Sequence, residues 1–371
     1  MAGFLQRLLT RSGILPVLRT HWRADQSAAA RKLEAHLDKR FAAITQHLDR
    51  LEAQHVDLEA LTDHLRSLES LSKSVGPLAG AIDRIGKIDR EVRVLHATLA
   101  QDIADRRTGS SRSDAFEFDR VVAHVNRAIG AVPLETDPSV HIVVNNLTPP
   151  ETYDAMIDAI PLPIFFGQRD PIKQNLKLTS LDIAPERTLS MLAFLENVLI
   201  PRMMVPALLL KFQPHIQDFY VREFGPERGP ALAALPHAAT GGRLMLRRPG
   251  YHLDPHLDPK RVVFTCLIYF ARRGDSEAFG TSFYRMNGTP KIDRTSTFYP
   301  EGQGIRCDLV KTVPFKPNSA VAFLNWGGAH GADIPKSATP ETERYAYQFY
   351  VSPEPEALAA LVGEAESAVA E

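Results

Sequence analysis

Residues 250–270 read GYHLDPHLDPKRVVFTCLIYF, and they join the most specific chemical pattern of the chain to a strand-like run. The first half holds two His-x-Asp pairs. The second half, residues 262–270, is largely apolar, β-branched and aromatic, which is typical of a strand inside a folded domain. The stretch therefore predicts a β-rich domain with a candidate metal site beside one of its strands.

The two pairs, His252/Asp254 and His256/Asp258, have the same form. Residues two apart in an extended strand point to the same side, so either pair can supply two ligands to one metal. All four residues are at even-numbered positions, so a regular strand would point them to the same side, and strand geometry alone does not separate the pairs. His256 with Asp258 and His252 with Asp254 therefore stay rival candidate pairs.

A third ligand must come from a distant strand, and His330 beside Gly331 is the candidate. Two imidazoles and one carboxylate suit Fe(II), Mn or Zn and leave one coordination face open, which favours catalysis over a closed structural zinc site. Arg344 follows in the last predicted strand. Its guanidinium can hold a carboxylate co-substrate through two parallel hydrogen bonds.

The composition narrows the class of protein. The chain has 371 residues with 44% hydrophobic and 23% charged residues, which is ordinary for a soluble globular protein. A formal net charge of −1 gives no general attraction to nucleic acid. Two cysteines, Cys266 and Cys307, are too few for a secreted disulfide scaffold, so we expect a reducing, cytoplasmic compartment. There is no uninterrupted run of 18 apolar residues, and we predict no membrane-spanning helix.

The N-terminal part is helical in pattern. Residues 1–26 are predicted to form a basic amphipathic segment, of which residues 1–23 contact a membrane surface peripherally, act as a targeting segment or pack on a partner. Residues 27–105 carry apolar heptads, which indicate a coiled coil and favour a homo-oligomer. Gly76-Pro77 divides this region into predicted helices 27–75 and 78–105, as a hairpin or a kinked rod.

The remaining boundaries follow from composition. Residues 106–115 read as a linker, 116–355 as an α+β catalytic domain, and 356–371 as a C-terminal helix or tail. Residues 161–175 and 226–242 are predicted loops. Helices are predicted at 116–129, 148–160, 185–210 and 214–224, and strands at 140–144, 243–248, 262–270, 281–285, 319–324 and 344–351.

The order of motifs resembles the Fe(II)- and 2-oxoglutarate-dependent dioxygenases, in particular their prolyl-hydroxylase-like branch. The resemblance covers about residues 140–352 and leaves out the heptad region. The stretches that carry it are Arg248-Pro249-Gly250-Tyr251, His256-Leu257-Asp258, Val263–Phe270, Gly280-Thr281-Ser282-Phe283-Tyr284, Phe315-Lys316-Pro317-Asn318, Phe323, His330-Gly331 and Arg344-Tyr345-Ala346.

This resemblance implies a double-stranded β-helix, a jelly-roll, cupin-like fold with flanking helices. It implies His256, Asp258 and His330 as iron ligands, Arg344 as the partner of the distal carboxylate of 2-oxoglutarate, and Tyr269 as an assisting hydroxyl. Fe(II), 2-oxoglutarate and O₂ would be required, with ascorbate as an optional reductant. Two departures are Arg248, where related enzymes often have tyrosine, and the long step from His330 to Arg344, which implies an insertion around 335–341.

The leading hypothesis is a hydroxylase that converts 2-oxoglutarate to succinate and CO₂ while oxidising a protein side chain or a small molecule. A second hypothesis is an inactive jelly-roll scaffold assembled through its coiled coil. A third is a cupin-like metalloenzyme without 2-oxoglutarate, against which Arg344 argues. The predicted loops around 161–175 and 286–306 do not identify the substrate.

Overall fold

The computed structural model describes residues 86–105 apart from 88, 89, 92, 96 and 104, together with 113–166, 170–178, 184–288 and 295–359. The predictions for residues 1–26, 27–85, 106–112 and 360–371 lie outside these residues. The described positions from 86 to 93 are helical and belong to a separate unit from the chain that begins at Val94. The second unit carries all the features described below.

Helices occupy the first half of this unit. The described residues between 94 and 105 are helical and are called α1, and the later helices begin where the sequence offers prolines or acidic residues. Helix α2 buries Val121, Val125 and Ile129, which recur at the spacing of an amphipathic helix. The helices are α2 (Phe118–Ala131), α3 (Pro150–Asp158), α4 (Glu186–Phe224) and α5 (Gly229–Ala234), with a last turn, α6, at 355–359.

Helix α4 is continuous, and the predicted break before Pro214 is therefore wrong. A π-helical segment, Leu195–Met204, contains Pro201 and accommodates this proline within the helix. Pro214 lies inside the helix without ending it. A proline costs roughly 3 kcal/mol in a helix interior, but buried Phe212 and Ile216 anchor the chain on either side of it.

The same helix is long and apolar enough to cross a membrane by length and composition, with a mean hydropathy of 1.5 over its most apolar stretch. Half of that stretch is buried within the protein. Phe212 packs edge-on against Phe264 of the sheet, at a centroid distance of 4.8 Å. A helix buried in a protein core passes the same length and composition test, and α4 has the contacts of such a helix.

Within the described residues, ten strands form two antiparallel sheets. The six-stranded sheet has the order β1-β8-β5-β10-β3-β2 and the four-stranded sheet the order β4-β9-β6-β7. The strands are β1 (His141–Asn145), β2 (Lys173–Leu176), β3 (His237–Arg247), β4 (His252–His256), β5 (Phe264–Tyr269), β6 (Thr281–Met286), β7 (Cys307–Val313), β8 (Ser319–Leu324), β9 (Gly328–Asp333) and β10 (Arg344–Pro353).

All six predicted strands are present, and four further strands are not in the prediction. Strand β2 and the first half of β3 fall within the predicted loops 161–175 and 226–242, which also contain a short 3₁₀ helix and α5. Strands β4 and β9 are rich in His, Asp and Gly. Pairing with neighbouring strands outweighs the weak β-propensity of such residues.

The six-stranded sheet has two different faces. Its outer face packs against the helices and forms the larger apolar core, which includes Phe264, Tyr345 and Phe349. Its inner face packs against the four-stranded sheet, with Phe283 edge-on to Phe323 at 5.1 Å. The two sheets therefore form a β-sandwich with helices on one side, and the inner face holds the candidate site.

Candidate metal centre

A β-bulge in β4 separates the two His-x-Asp pairs. His252 lies opposite Asp333 of β9 and Leu253 opposite Ala332, but His256 lies opposite His330, so β4 has one extra residue between these points. An extra residue reverses the side to which the following side chains point. Equal parity in sequence therefore does not mean an equal orientation in the folded strand.

The structure brings three ligand-type side chains together. One nitrogen each of His256 and His330 and one oxygen of Asp258 lie within 4.8 Å of one another, and all three residues are buried. His256 and His330 are directly paired across β4 and β9, and their ring centroids are 4.1 Å apart. Asp258 follows the end of β4, and its Oδ2 is 3.5 Å from Nε2 of His330.

Neighbouring groups orient His256 and disfavour the charged form of His330. Nδ1 of His256 is 2.9 Å from the carbonyl oxygen of Asp254. A proton on Nδ1 satisfies that carbonyl and leaves the lone pair of Nε2 for a metal. Burial, with the neighbouring His256, lowers the pKa of His330 well below its ordinary value. Neutral imidazole is the form that binds metal ions.

Asp258 is held by two neighbours that the sequence analysis missed. The Thr265 hydroxyl donates a hydrogen bond of 2.5 Å to Oδ2 of Asp258. Asn325 accepts from the amide of Asp258 and donates to the carbonyl oxygens of Asp258, Pro259 and Val262. These bonds shape the turn that directs the carboxylate toward the histidines. Thr265 and Tyr269 are four residues apart in β5 and therefore point to the same side of the sheet. This spacing could have identified Thr265 from the sequence.

Aromatic side chains close the interior around this cluster. Phe323 lies 4.5 Å from the ring of His330, and Phe283 lies 4.7 Å from the ring of His141. His141 is fully buried and is bonded to the Ser139 carbonyl. It stands outside the cluster of ligand atoms. Trp326 packs with the helices, on the opposite side of the six-stranded sheet.

The rival pair lies on the surface. His252 and Asp254 have side chains that are 61% and 65% exposed, and they contact each other at 2.9 Å. The other nitrogen of His252 is 2.9 Å from Asp333 of β9. Hydrogen bonds to Asp333 and Asp254 raise the pKa of His252. The pair thus links β4 to β9 outside the buried cluster.

Arg344 lies at the far end of the same interior. It is 2% exposed, and its Nε donates to the carbonyl oxygen of Phe279. Its guanidinium stacks over Tyr269 at 5.4 Å and Phe315 at 5.3 Å. Its Nη2 is buried and, among the described residues, has no acceptor. The Tyr269 hydroxyl donates to Thr281 at 2.7 Å.

Two further arginines surround this end. Arg247 of β3 is paired in register with Arg344 and is 2% exposed. Its guanidinium donates to the Gln174 carbonyl and to the Asn175 side chain, so uncharged oxygen atoms accept hydrogen bonds from both of its terminal nitrogens. Arg248 instead points to the rim, where it pairs with Glu343 at 2.8 Å. Arg248, which stands where related enzymes often have tyrosine, therefore forms an ion pair at the rim of the site. Arg247 is the buried, inward-pointing arginine, and the sequence analysis missed it.

The donor set fits a divalent transition metal. Ligand atoms about 2.1 Å from such an ion lie about 3 Å apart when they are adjacent around it. The 3.5 Å between His330 and Asp258 approaches this spacing without rearrangement of the strands. Nη2 of Arg344, which is buried and has no acceptor among the described residues, likewise fits a bound carboxylate, because a buried N–H group without an acceptor is costly.

Comparisons with known proteins give weak likenesses. No family model and no curated protein matches the sequence. A prolyl-4-hydroxylase from Pseudomonas putida is 14% identical, with 62% of this chain and 98% of that chain covered and a TM-score of 0.30. AviO1 from Streptomyces viridochromogenes is 13% identical, with 67% and 96% covered and a TM-score of 0.33. HygX from Streptomyces hygroscopicus, solved with nickel, 2-oxoglutarate and hygromycin B, is 13% identical, with 59% and 85% covered and a TM-score of 0.31. Likenesses of this size carry no argument about function, which rests on the site.

Proposed function

We propose that this protein is an Fe(II)- and 2-oxoglutarate-dependent oxygenase, a hydroxylase built on a double-stranded β-helix. The observation that carries the proposal is the buried cluster of His256, Asp258 and His330 in the same interior as Nη2 of Arg344, which has no acceptor among the described residues. Two imidazoles and one carboxylate are typical of non-haem iron sites that keep open positions. A carboxylate clamp in the same interior is what a keto-acid co-substrate requires.

The side chains have separate tasks in this proposal. His256, Asp258 and His330 would hold the iron, and Thr265 fixes the orientation of the carboxylate. Arg344 would bind the distal carboxylate of 2-oxoglutarate, with its direction set by Phe279 and its ring partners. The bound iron, with O₂, supplies the oxidising chemistry that couples decarboxylation to hydroxylation. Phe283 and Phe323 exclude water from one side of the site.

The test is 2-oxoglutarate turnover with Fe(II) and O₂, followed as succinate formation. We expect His256→Ala to abolish turnover, because it removes a ligand from the buried cluster. His252→Ala should retain most of it, since His252 is exposed and bonds Asp254 and Asp333. The opposite result for the two variants would assign the metal to the rival pair.

Arg344→Gln separates this proposal from a metalloenzyme without 2-oxoglutarate. We expect the variant to bind metal normally and to raise the KM for 2-oxoglutarate, because the carboxylate loses a charged partner worth about 1.5–3 kcal/mol. Normal turnover in Arg344→Gln would remove the role of the arginine. If the wild-type protein takes up neither Fe(II) nor Mn(II), the proposed function fails, and the result favours the scaffold hypothesis.

A further inference from the structure

Arg243 of β3 points to the inner face of the sandwich beside the candidate metal centre. It is paired in register with Gln348 of β10. Its Nη2 donates to the Gln348 side chain and to the Tyr350 hydroxyl at 3.1 Å, and the guanidinium lies 5.4 Å from the centre of the Tyr350 ring. Arg243, Gln348 and Tyr350 form one polar cluster, which we call the Arg243 cluster.

The Arg243 cluster adjoins the metal centre through Tyr350. Tyr350 is paired in register with Thr265, whose hydroxyl holds Asp258. Burial raises the pKa of Tyr350, and Asp258 raises it further by its charge and by a hydrogen bond. Arg243 lies opposite Gln348, which lies opposite Leu267 of β5, and its side chain reaches the Tyr350 hydroxyl. A molecule bound at Arg243 can therefore reach the metal.

Among the described residues, Arg243 has no carboxylate partner. Arginines with a carboxylate partner elsewhere include Arg187 with Asp105 and Arg285 with Asp137. Nε of Arg243 is buried and has no acceptor among those residues. Gln348 and Tyr350 orient the guanidinium, and the nearby carboxylate of Asp258 is linked to it only through the Tyr350 hydroxyl. A partly buried guanidinium without a direct carboxylate contact can still donate paired hydrogen bonds to an oxyanion ligand.

The Arg243 cluster is distinct from the arginine assigned to 2-oxoglutarate. Arg344 lies on β10 four residues before Gln348, which is about 13 Å along an extended strand. Each guanidinium has its own orienting partners, Phe279 for Arg344 and Gln348 with Tyr350 for Arg243. One small co-substrate carboxylate occupies one of them, and the other remains for a second molecule.

We propose that the Arg243 cluster binds an oxyanion, a carboxylate or a phosphate group, on the substrate and thereby orients that substrate toward the metal. This inference rests on the proposed function and adds the chemical class of the substrate. Guanidinium suits both oxyanions, because its planar fork donates paired hydrogen bonds to either.

The first experiment measures oxyanion binding to the full chain without metal. Inorganic phosphate and acetate are titrated against wild type, Arg243→Gln, Arg243→Lys and Arg202→Gln, with Tm as the readout. Arg202 is an exposed arginine of α4 and serves as the matched control. We expect Arg243→Gln to weaken oxyanion binding by about 10-fold to 100-fold, as loss of a charged hydrogen bond would. Arg243→Lys should retain part of the binding, and Arg202→Gln all of it.

The second experiment places the oxyanion relative to the metal. With Mn(II) and saturating 2-oxoglutarate, paramagnetic relaxation of the phosphate phosphorus and of the acetate methyl protons reports a probe near the ion. We expect the relaxation to be strong in wild type and Arg202→Gln and lost in Arg243→Gln. Whichever probe gives the stronger effect identifies the oxyanion as phosphate or carboxylate.

The outcomes separate this inference from the proposed function. Equal oxyanion affinity in wild type and Arg243→Gln overturns the inference. So does loss of 2-oxoglutarate affinity by calorimetry in Arg243→Gln but not in Arg344→Gln, which would exchange the two roles. If Mn(II) does not bind at all, the proposed function fails, and the metal-free titration still decides whether Arg243 binds the oxyanion.

Discussion

At the scale of single residues, the candidate centre depends on side chains that fix its ligands. Thr265 holds the Asp258 carboxylate, and the carbonyl of Asp254 fixes the tautomer of His256. Neither contact involves a group with a strong metal preference of its own. Such supporting contacts set the geometry and basicity of the ligands, and they are the part of a site that a motif does not display.

Replacing Thr265 by Val tests this support. The two side chains have nearly the same volume, so the change removes the hydrogen bond to Asp258 with little loss of packing. We expect Mn(II) affinity to fall by about 10-fold to 100-fold, measured by calorimetry. Thr281→Val is the matched control, since Thr281 is a buried threonine of the same interior that bonds Tyr269 instead. Equal losses in both variants would show that the hydrogen bond to Asp258 is not the cause.

At the scale of elements, the pairing of β4 with β9 decides which histidine is buried. The bulge between Leu253 and His256 turns one His-x-Asp pair outward and the other inward. Close packing supports this arrangement at Gly331, where an added Cβ would lie 2.6 Å from the Leu253 carbonyl oxygen. The exposed His252 links the same two strands through Asp333.

His252 should make the stability of this strand pair depend on pH. Its pKa is raised by Asp333 and Asp254, so the folded state binds a proton more tightly than the unfolded state. The stabilisation is complete below the unfolded pKa of about 6.5 and is lost as pH rises through the folded pKa. We expect wild type to exceed His252→Gln in Tm at about pH 5.5 and to lose this advantage by about pH 9. A difference in Tm that is constant across this range would contradict the link.

At the scale of the whole molecule, the site belongs to one unit of the chain. The strands, the buried cluster and the arginines all lie after Val94. The apolar core between the helices and the six-stranded sheet supports the inner face from behind. Oligomerisation through the heptads of residues 27–105 stays a prediction, as does membrane contact by residues 1–23.

A fragment of residues 94–371 should therefore keep the metal site. We expect it to bind Mn(II) with the affinity of the full chain, because every described side chain of the site lies within it. Asp258→Asn in the fragment is the control and should remove binding. A fragment that has the far-ultraviolet circular dichroism of a folded protein but no Mn(II) affinity would show that earlier residues complete the site.

Much of the fold was predictable from local patterns. The apolar run at 262–270 and the Pro and Gly boundaries correctly predicted six strands, since apolar periodicity and turn residues act locally. Strands β4 and β9 escaped prediction because their residues have weak strand propensity and gain order only through pairing. The continuous helix α4 escaped it because tertiary contacts around Pro214 outweigh the local cost.

The sequence by itself determined the chemical inventory: a strand beside two His-x-Asp pairs, a distant histidine and an arginine in the last strand. Only the tertiary structure decided which pair is buried and which arginines share the interior. A bulge reverses the orientation of side chains, and cross-strand register brings His256 opposite His330 and Arg243 opposite Gln348. Both depend on contacts between residues far apart in the chain, for which a local pattern contains no information.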